Sequence, residues 1–136
     1  MEKLNNAFPE VFVFGKINED FEELTKIIRD RKPDYILGVA KSPHDYSQFE
    51  SVANNQFNKG KKIISHGPES YALFAPKQSL ITISDVPTDS FCNWTMYKIS
   101  DLIKKENLDS KLIFLHVKVK SIETLLKLWR QYESRI

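Results

Sequence analysis

Cys92, the only cysteine of the chain, stands where a helix is expected to begin, and His116 stands near the end of an apolar run that reads as a strand. Thiol and imidazole are the pair that cysteine nucleophilic catalysis requires. The imidazole takes the thiol proton, and the thiolate attacks a carbonyl carbon. The N–H groups and dipole of a helix N-terminus favour an anion there, and the same amides can donate to an oxyanion. Both residue types also have a plain structural use. A lone Cys on an apolar helix face is commonly an inert small hydrophobe, and a His late in a strand is often a core residue with a satisfied ring. Residue type and spacing leave both readings open. His44 and His66 fall in a polar, irregular stretch and read as surface residues. Three dispersed histidines and one cysteine lack metal-ligand spacing, so no metal is expected on them.

Some elements must position these groups. Residues 10–15, Glu-Val-Phe-Val-Phe-Gly, are β-branched and aromatic and read as a strand. Asn18 is then expected to cap a helix. Acidic Glu19, Asp20, Glu22 and Glu23 crowd its first turn and basic Arg29, Arg31 and Lys32 its last, which suits the helix dipole. Phe21, Leu24, Ile27 and Ile28 supply its apolar face, and Pro33 stops it. Residues 34–40 form a nearly continuous apolar run, expected to be a strand buried on both faces. The stretch 41–78 is broken by Pro43, Gly60, Gly67, Pro68 and Pro76; Phe49–Phe57 and Lys61–Ser65 read as extended segments within it. Ser79–Ser84 alternates as a strand and a loop fills 85–90. A helix runs from near Phe91–Asn93 to about Lys105, with Cys92, Met96, Ile99 and Ile103 on one face. Lys111–Val117 reads as another buried strand, and Ser121 caps a last helix whose apolar face is Ile122, Leu125, Leu126 and Trp129. Alternation of strand and helix implies a mostly parallel sheet with helices on both sides, a three-layer α/β/α sandwich. Sites in such sheets gather at the carboxyl ends of strands, so neighbouring strand ends are expected to bring Cys92 and His116 together.

The bulk properties restrict the function further. The 136 residues fit one domain, 1–136, and are 41% hydrophobic and 28% charged. A chain of this length buries roughly two thirds of its unfolded surface, so a core can form without staples. A net charge of +2 is too mild to imply nucleic-acid or membrane binding, and Lys59–Gly60–Lys61–Lys62 reads as a solvated turn. No apolar run approaches the roughly 18 residues of a membrane span. Met-Glu-Lys-Leu-Asn-Asn at the N-terminus lacks the apolar region of a signal peptide. With the lone thiol, this leads to an expected cytoplasmic location.

Several segments carry a resemblance. Ser84-Asp-Val-Pro-Thr-Asp-Ser-Phe-Cys-Asn-Trp-Thr-Met-Tyr97 is similar to the nucleophile motif of the type I pyroglutamyl peptidases, a family of cysteine peptidases. That motif has a Ser, an Ala-Gly, an aromatic or apolar pair, Cys-Asn, and a Tyr four residues after the Asn. Phe114-Leu-His-Val117 resembles the family's Phe-Ile-His-Val segment, which carries the catalytic His. Ile36-Leu-Gly-Val-Ala40 and Phe49-Glu-Ser-Val-Ala-Asn54 resemble its Gly-Leu-Ala-Pro-Gly-Arg and Glu-Arg-Val-Ala-Ile-Asn stretches, which puts Glu50 at the acidic position. Gly67-Pro-Glu-Ser-Tyr71 and Pro76 resemble the Gly-Pro-x-Ala-Tyr and Leu-Pro segment between them. The order along the chain is the family's order.

The resemblance implies a Cys92–His116–Glu50 triad and hydrolysis of N-terminal pyroglutamyl or related amide bonds, with a small N-terminally blocked peptide as substrate and no cofactor. The departures are as specific. The family's first strand and Gly-Phe-x-Pro-Phe loop have no counterpart, so the expected fold lacks them. Pro87-Thr88 replaces the Ala-Gly before the nucleophile, Ser42-Pro43-His44 replaces Pro-Gly-Arg, and Lys118 replaces the Pro after His-Val. For the Arg beyond the acidic residue, Lys59 and Lys61 are the nearest candidates. These changes touch substrate binding more than the triad. They lead to two expectations: weak or absent turnover of simple pyroglutamyl substrates, and, as the alternative to a hydrolase, a catalytically weak or inactive binding or interaction module. An exposed sheet edge would then suit pairing with another copy or a partner chain.

Overall fold

Charges of opposite sign at the two ends of residues 17–31 and an apolar stripe between them produce the first helix, α1 (Ile17–Arg31). A computed structural model describes residues 17–42, 45–76, 81–87 and 91–118. The strand expected at 10–15 and the helix expected after Ser121 lie outside them. The helix has already begun at Ile17, one residue before the cap expected at Asn18. It ends where Lys32 adopts a left-handed φ of 45° and donates its N–H to Ile28 O at 2.8 Å, just ahead of Pro33. The strands are β1 (Tyr35–Lys41), β2 (Gln48–Glu50), β3 (Val52–Asn54), β4 (Ser70–Ala72), β5 (Thr82–Ser84) and β6 (Lys111–Val117), with α2 (Phe91–Lys105) before β6.

The main sheet has the order β1-β6-β2-β5. β1 runs parallel to β6, and β2 parallel to β5; only the β6–β2 pair is antiparallel. The sheet is thus mostly parallel by pairing, as expected. Its layout differs from the expectation in one respect that matters for the site. β5 and β6 are not neighbours, because β2 lies between them, and they run in opposite directions. The expected meeting of adjacent carboxyl ends does not occur; the start of α2 delivers Cys92 instead.

The longest buried run is on β6, where every residue after Lys111 is buried. The strand expected at 34–40 is half-buried: β1 stands at one end of the sheet among the described residues, and Val39 is 39% exposed. Alternation on β6 divides the core in two. Leu112 and Phe114 face α1 and α2, packing with Ile28, Met96, Tyr97, Ile99 and Leu102. Ile113, Leu115 and Val117 face the other way and pack with Phe49. Each such side chain, once buried, contributes about 1.5–3 kcal/mol. Both described helices cover the same sheet face, and His116 has the parity of Leu112 and Phe114, so it points to that face.

The segment between β3 and β4 was read as partly extended at 61–65, and it is a loop. Asn55 accounts for it: its Oδ1 accepts the N–H groups of Ile63 (2.7 Å) and Ile64 (2.9 Å), and its Nδ2 donates to Ile64 O (2.7 Å). A side chain takes the place of a strand partner. The expected turn at Lys59–Lys62 is present, with positive φ at Asn58, Lys59 and Gly60.

Gly38 lies opposite Phe114 in the β1–β6 register, and the Phe114 ring occupies the space a Cβ would need. Gly38→Ala is therefore expected to lower the unfolding free energy by about 1–3 kcal/mol through overpacking. Chemical unfolding of Gly38→Ala, Phe114→Leu and the double variant checks this. The double variant should lose less than the sum of the two, and strict additivity would contradict the clash.

Candidate active site

Glu50 closes β2, and Gln48 precedes it by two residues, so both point to the helix-covered face of the sheet. Across the antiparallel ladder Gln48 stands opposite His116 and Glu50 opposite Phe114. The loop joining β1 to β2 holds this register near His116. Ser42 donates its N–H to Val117 O (2.9 Å) and its hydroxyl to Tyr46 O (2.7 Å), and Lys118 N–H donates to Ser47 Oγ (2.8 Å).

The result is a buried ionic contact. His116 Nδ1–H donates to Glu50 Oε2 at 3.2 Å, with side chains 9% and 2% exposed. Gln48 Nε2 donates to the same carboxylate oxygen at 2.8 Å. Phe114 packs its ring against the imidazole at 5.3 Å between centroids.

Cys92 approaches from the other side. It is the second residue of α2, partly buried, and its thiol is within hydrogen-bonding reach of His116. Two anchors fix this end of α2. Asn93 is fully buried; its Oδ1 accepts Asn54 N–H (2.9 Å), and its Nδ2 donates to Asn54 O (3.0 Å) and Gln56 O (2.9 Å). The helix start is thereby tied to the end of β3. Trp94 stacks on Phe91 and meets Phe21 of α1 edge-on at 5.5 Å, with the Lys98 ammonium over both the Phe21 and Trp94 rings.

The structure thus brings Cys92, His116 and Glu50 together on one sheet face. His66, by contrast, is exposed in the 60–67 loop, and His44 lies outside the described residues. Sequence reasoning missed the parts played by Gln48 and Asn93. Asn93 was visible as half of a Cys-Asn motif without a task. Gln48 was signalled only by its i, i+2 spacing from Glu50. Among the described residues no group of three or more His, Cys, Asp or Glu is placed to hold a metal ion, and no helix is long and apolar enough to cross a membrane.

The electrostatics follow from the contacts. The hydrogen bond with Cys92, then that with Glu50, push the His116 imidazole up to about 9, against the lowering effect of burial. A second polar group lies deeper on α2. Tyr71 donates to Asp101 Oδ1 at 2.7 Å and Tyr97 to Pro68 O at 2.6 Å. Burial raises both hydroxyls above their ordinary values, so both stay neutral donors. They hold the Gly67–Tyr71 segment against the helix, a structural task for that motif.

The arrangement of strands and helices is that of solved pyrrolidone carboxyl peptidases, and this chain has their fold. Pyrrolidone carboxyl peptidase from Thermococcus litoralis superposes with a TM-score of 0.63 at 22% identity, covering 74% of this chain and 56% of that one. A mutant of the Pyrococcus furiosus protein gives a TM-score of 0.70 at 20% identity over 91% of this chain and 77% of that one. Bacillus amyloliquefaciens pyroglutamyl peptidase I gives 0.68 at 18%, over 84% and 72%. Against the Thermococcus protein the chain spans little more than half the length. No protein-family model and no curated protein matches the sequence.

The raised His116 value has a consequence for stability. The fold favours the imidazolium, so its contribution is fully present below the ordinary value of 6.5 and is lost as pH rises through about 9. The thermal midpoint of the natural chain should therefore fall more between pH 6.5 and 9.5 than that of His116→Gln. Parallel pH curves for the two proteins would count against the ionic contact.

Proposed function

We propose that this chain is a cysteine hydrolase acting on N-terminal pyroglutamyl or related amide bonds through Cys92, His116 and Glu50. The observation that carries the reading is one buried imidazole in contact with both a thiol and a buried carboxylate. The likeness of fold supports the choice of substrate class, because the matching structures are pyrrolidone carboxyl and pyroglutamyl peptidases.

The steps follow from the groups in place. His116 holds the Cys92 proton, and the thiolate sulfur forms a bond to the substrate carbonyl carbon. Negative charge collects on the carbonyl oxygen, and amides in the first turn of α2 receive it. As the C–N bond breaks, the imidazolium gives its proton to the departing amine. Water then attacks the thioester, losing a proton to His116, and the acid leaves as Cys92 Sγ regains its proton. Glu50 accepts from Nδ1–H throughout, holding the ring and stabilising its charged form. The chemistry draws on no metal or organic cofactor.

Substrate positioning is the weaker part. Pro87 offers no N–H, and Thr88 does not reach positive φ at the low cost open to Gly. A missing oxyanion donor costs about 10²–10³ in rate. We therefore expect slow, Cys92-dependent release of a chromophore from a pyroglutamyl amide. Cys92→Ala should abolish it, His116→Ala should reduce it by about 10²–10⁴, and the rate should decline as pH passes about 9 and the imidazolium is lost. Equal signals from the natural chain and Cys92→Ala would reject the hydrolase and favour a binding role.

A further inference from the structure

We propose that Gln48 is a positioning residue of this site: its side-chain amide, set opposite His116 on the neighbouring strand, holds the Glu50 carboxylate in the orientation that meets the imidazole. This rests on the triad reading given above.

The placement is dictated by the strand. Gln48 and Glu50 are separated by one residue on β2 and share a face. In the antiparallel ladder Gln48 is the direct partner of His116, and directly opposed side chains have Cβ atoms about 4.5–5.5 Å apart. Gln48 is 8% exposed, so its amide is not a solvated surface group. Nε2 and His116 Nδ1 converge on a single atom, Glu50 Oε2, at 2.8 and 3.2 Å.

A glutamate side chain with one partner can rotate about its terminal bonds. With two donors on one oxygen, rotation breaks two hydrogen bonds to a charged group, which are stronger than those between neutral groups. An amide suits the position for a further reason. It donates without charge, so it does not compete with the imidazolium for the carboxylate as Lys or Arg would. An apolar residue would leave the orientation to His116 alone, and His116 is the group that needs to be oriented.

A clean test follows from the charges present. Among the described residues the ionisable groups facing His116 are Glu50 from β2 and Cys92 from α2, and Gln48 is neutral. Replacing Gln48 with another neutral residue changes no net charge, so a change in the titration of the site reports the loss of its hydrogen bond to Glu50. Cys92 is the chain's only cysteine, so alkylation by iodoacetamide reads this thiol without a substrate.

The experiment measures alkylation rate against pH for the natural chain, Gln48→Met, Gln48→Asn and His116→Ala. Met matches Gln in length but has no donor; Asn keeps the amide but is too short to reach Glu50. Both Gln48 variants should alkylate about tenfold more slowly at neutral pH and converge with the natural chain at high pH, where the thiol ionises unaided. His116→Ala should show the larger effect. Normal alkylation at every pH in a folded Gln48 variant, with His116→Ala slowed, would overturn the role of Gln48 and leave the triad reading standing. Unchanged alkylation in His116→Ala would overturn both. Should one Gln48 variant fail to fold, the other decides. The His116 ring titration, followed by NMR, should move downward in either variant and stay in place if Gln48 only fills space.

Discussion

A carboxylate whose side chain is 2% exposed is the constraint around which this molecule is arranged. Burying an unpaired charge costs several kcal/mol, and only close, well-directed partners offset that. Glu50 finds them in His116 and Gln48, and both depend on one short antiparallel ladder. A slip of one residue in β2 would turn Gln48 and Glu50 to the opposite face and bring Phe49 into the site. The ties from Ser42 and Ser47 to the end of β6 are therefore part of the site, although none of them touches it. The same ladder explains the single antiparallel pairing in an otherwise parallel sheet. A short loop after β1 returns the chain beside β6, next to the end that carries His116.

The thiol is placed by a different kind of interaction. Asn93 is neutral, fully buried and joined by three hydrogen bonds to the backbone of Asn54 and Gln56. Because β3 follows β2 after one residue, Ser51, the stretch that carries Glu50 also anchors the helix that carries Cys92. Ser51 is itself held, with its N–H and hydroxyl both donating to Ser84 O at 3.0 and 2.7 Å. Glu50, His116 and Cys92 are thus referred to one stretch, residues 48–54. The position of Cys92 does not rest on charge, so the helix start stays in register whichever protonation state the pair adopts.

Cys92 and His116 were legible because each sits in an element with a strong local pattern: an amphipathic helix and an apolar strand. Glu50 was legible only through resemblance. Its strand is three residues long, and Gln48-Phe49-Glu50 reads as the polar, outward alternation of a surface segment. α2 buries that face, which local pattern does not reveal. The reverse happened at Tyr35–Lys41. Its apolar run suggested burial on both faces, yet β1 ends the described sheet and β6 takes the central place. Lys61–Ser65 was misread for a third reason: the apolar pair Ile63-Ile64 suggested a strand, while the Asn55 side chain consumes the N–H groups a strand would have used. Each miss is a case of tertiary contact overriding local preference.

The division between what the sheet holds and what the loops supply bears on how such a chain can diverge. The residues of the thiol–imidazole–carboxylate contact are tied to buried backbone, and their neighbours cannot change without leaving buried donors or charges unmatched. The sequence departs from the peptidase pattern at Ser42-Pro43-His44 and at Pro87-Thr88. Identity of about 20% with a TM-score near 0.7 shows the fold shared while most positions differ. The thiol–imidazole–carboxylate contact and the loops around it are therefore held by separate parts of this molecule. The contact depends on a ladder of three residue pairs between β2 and β6.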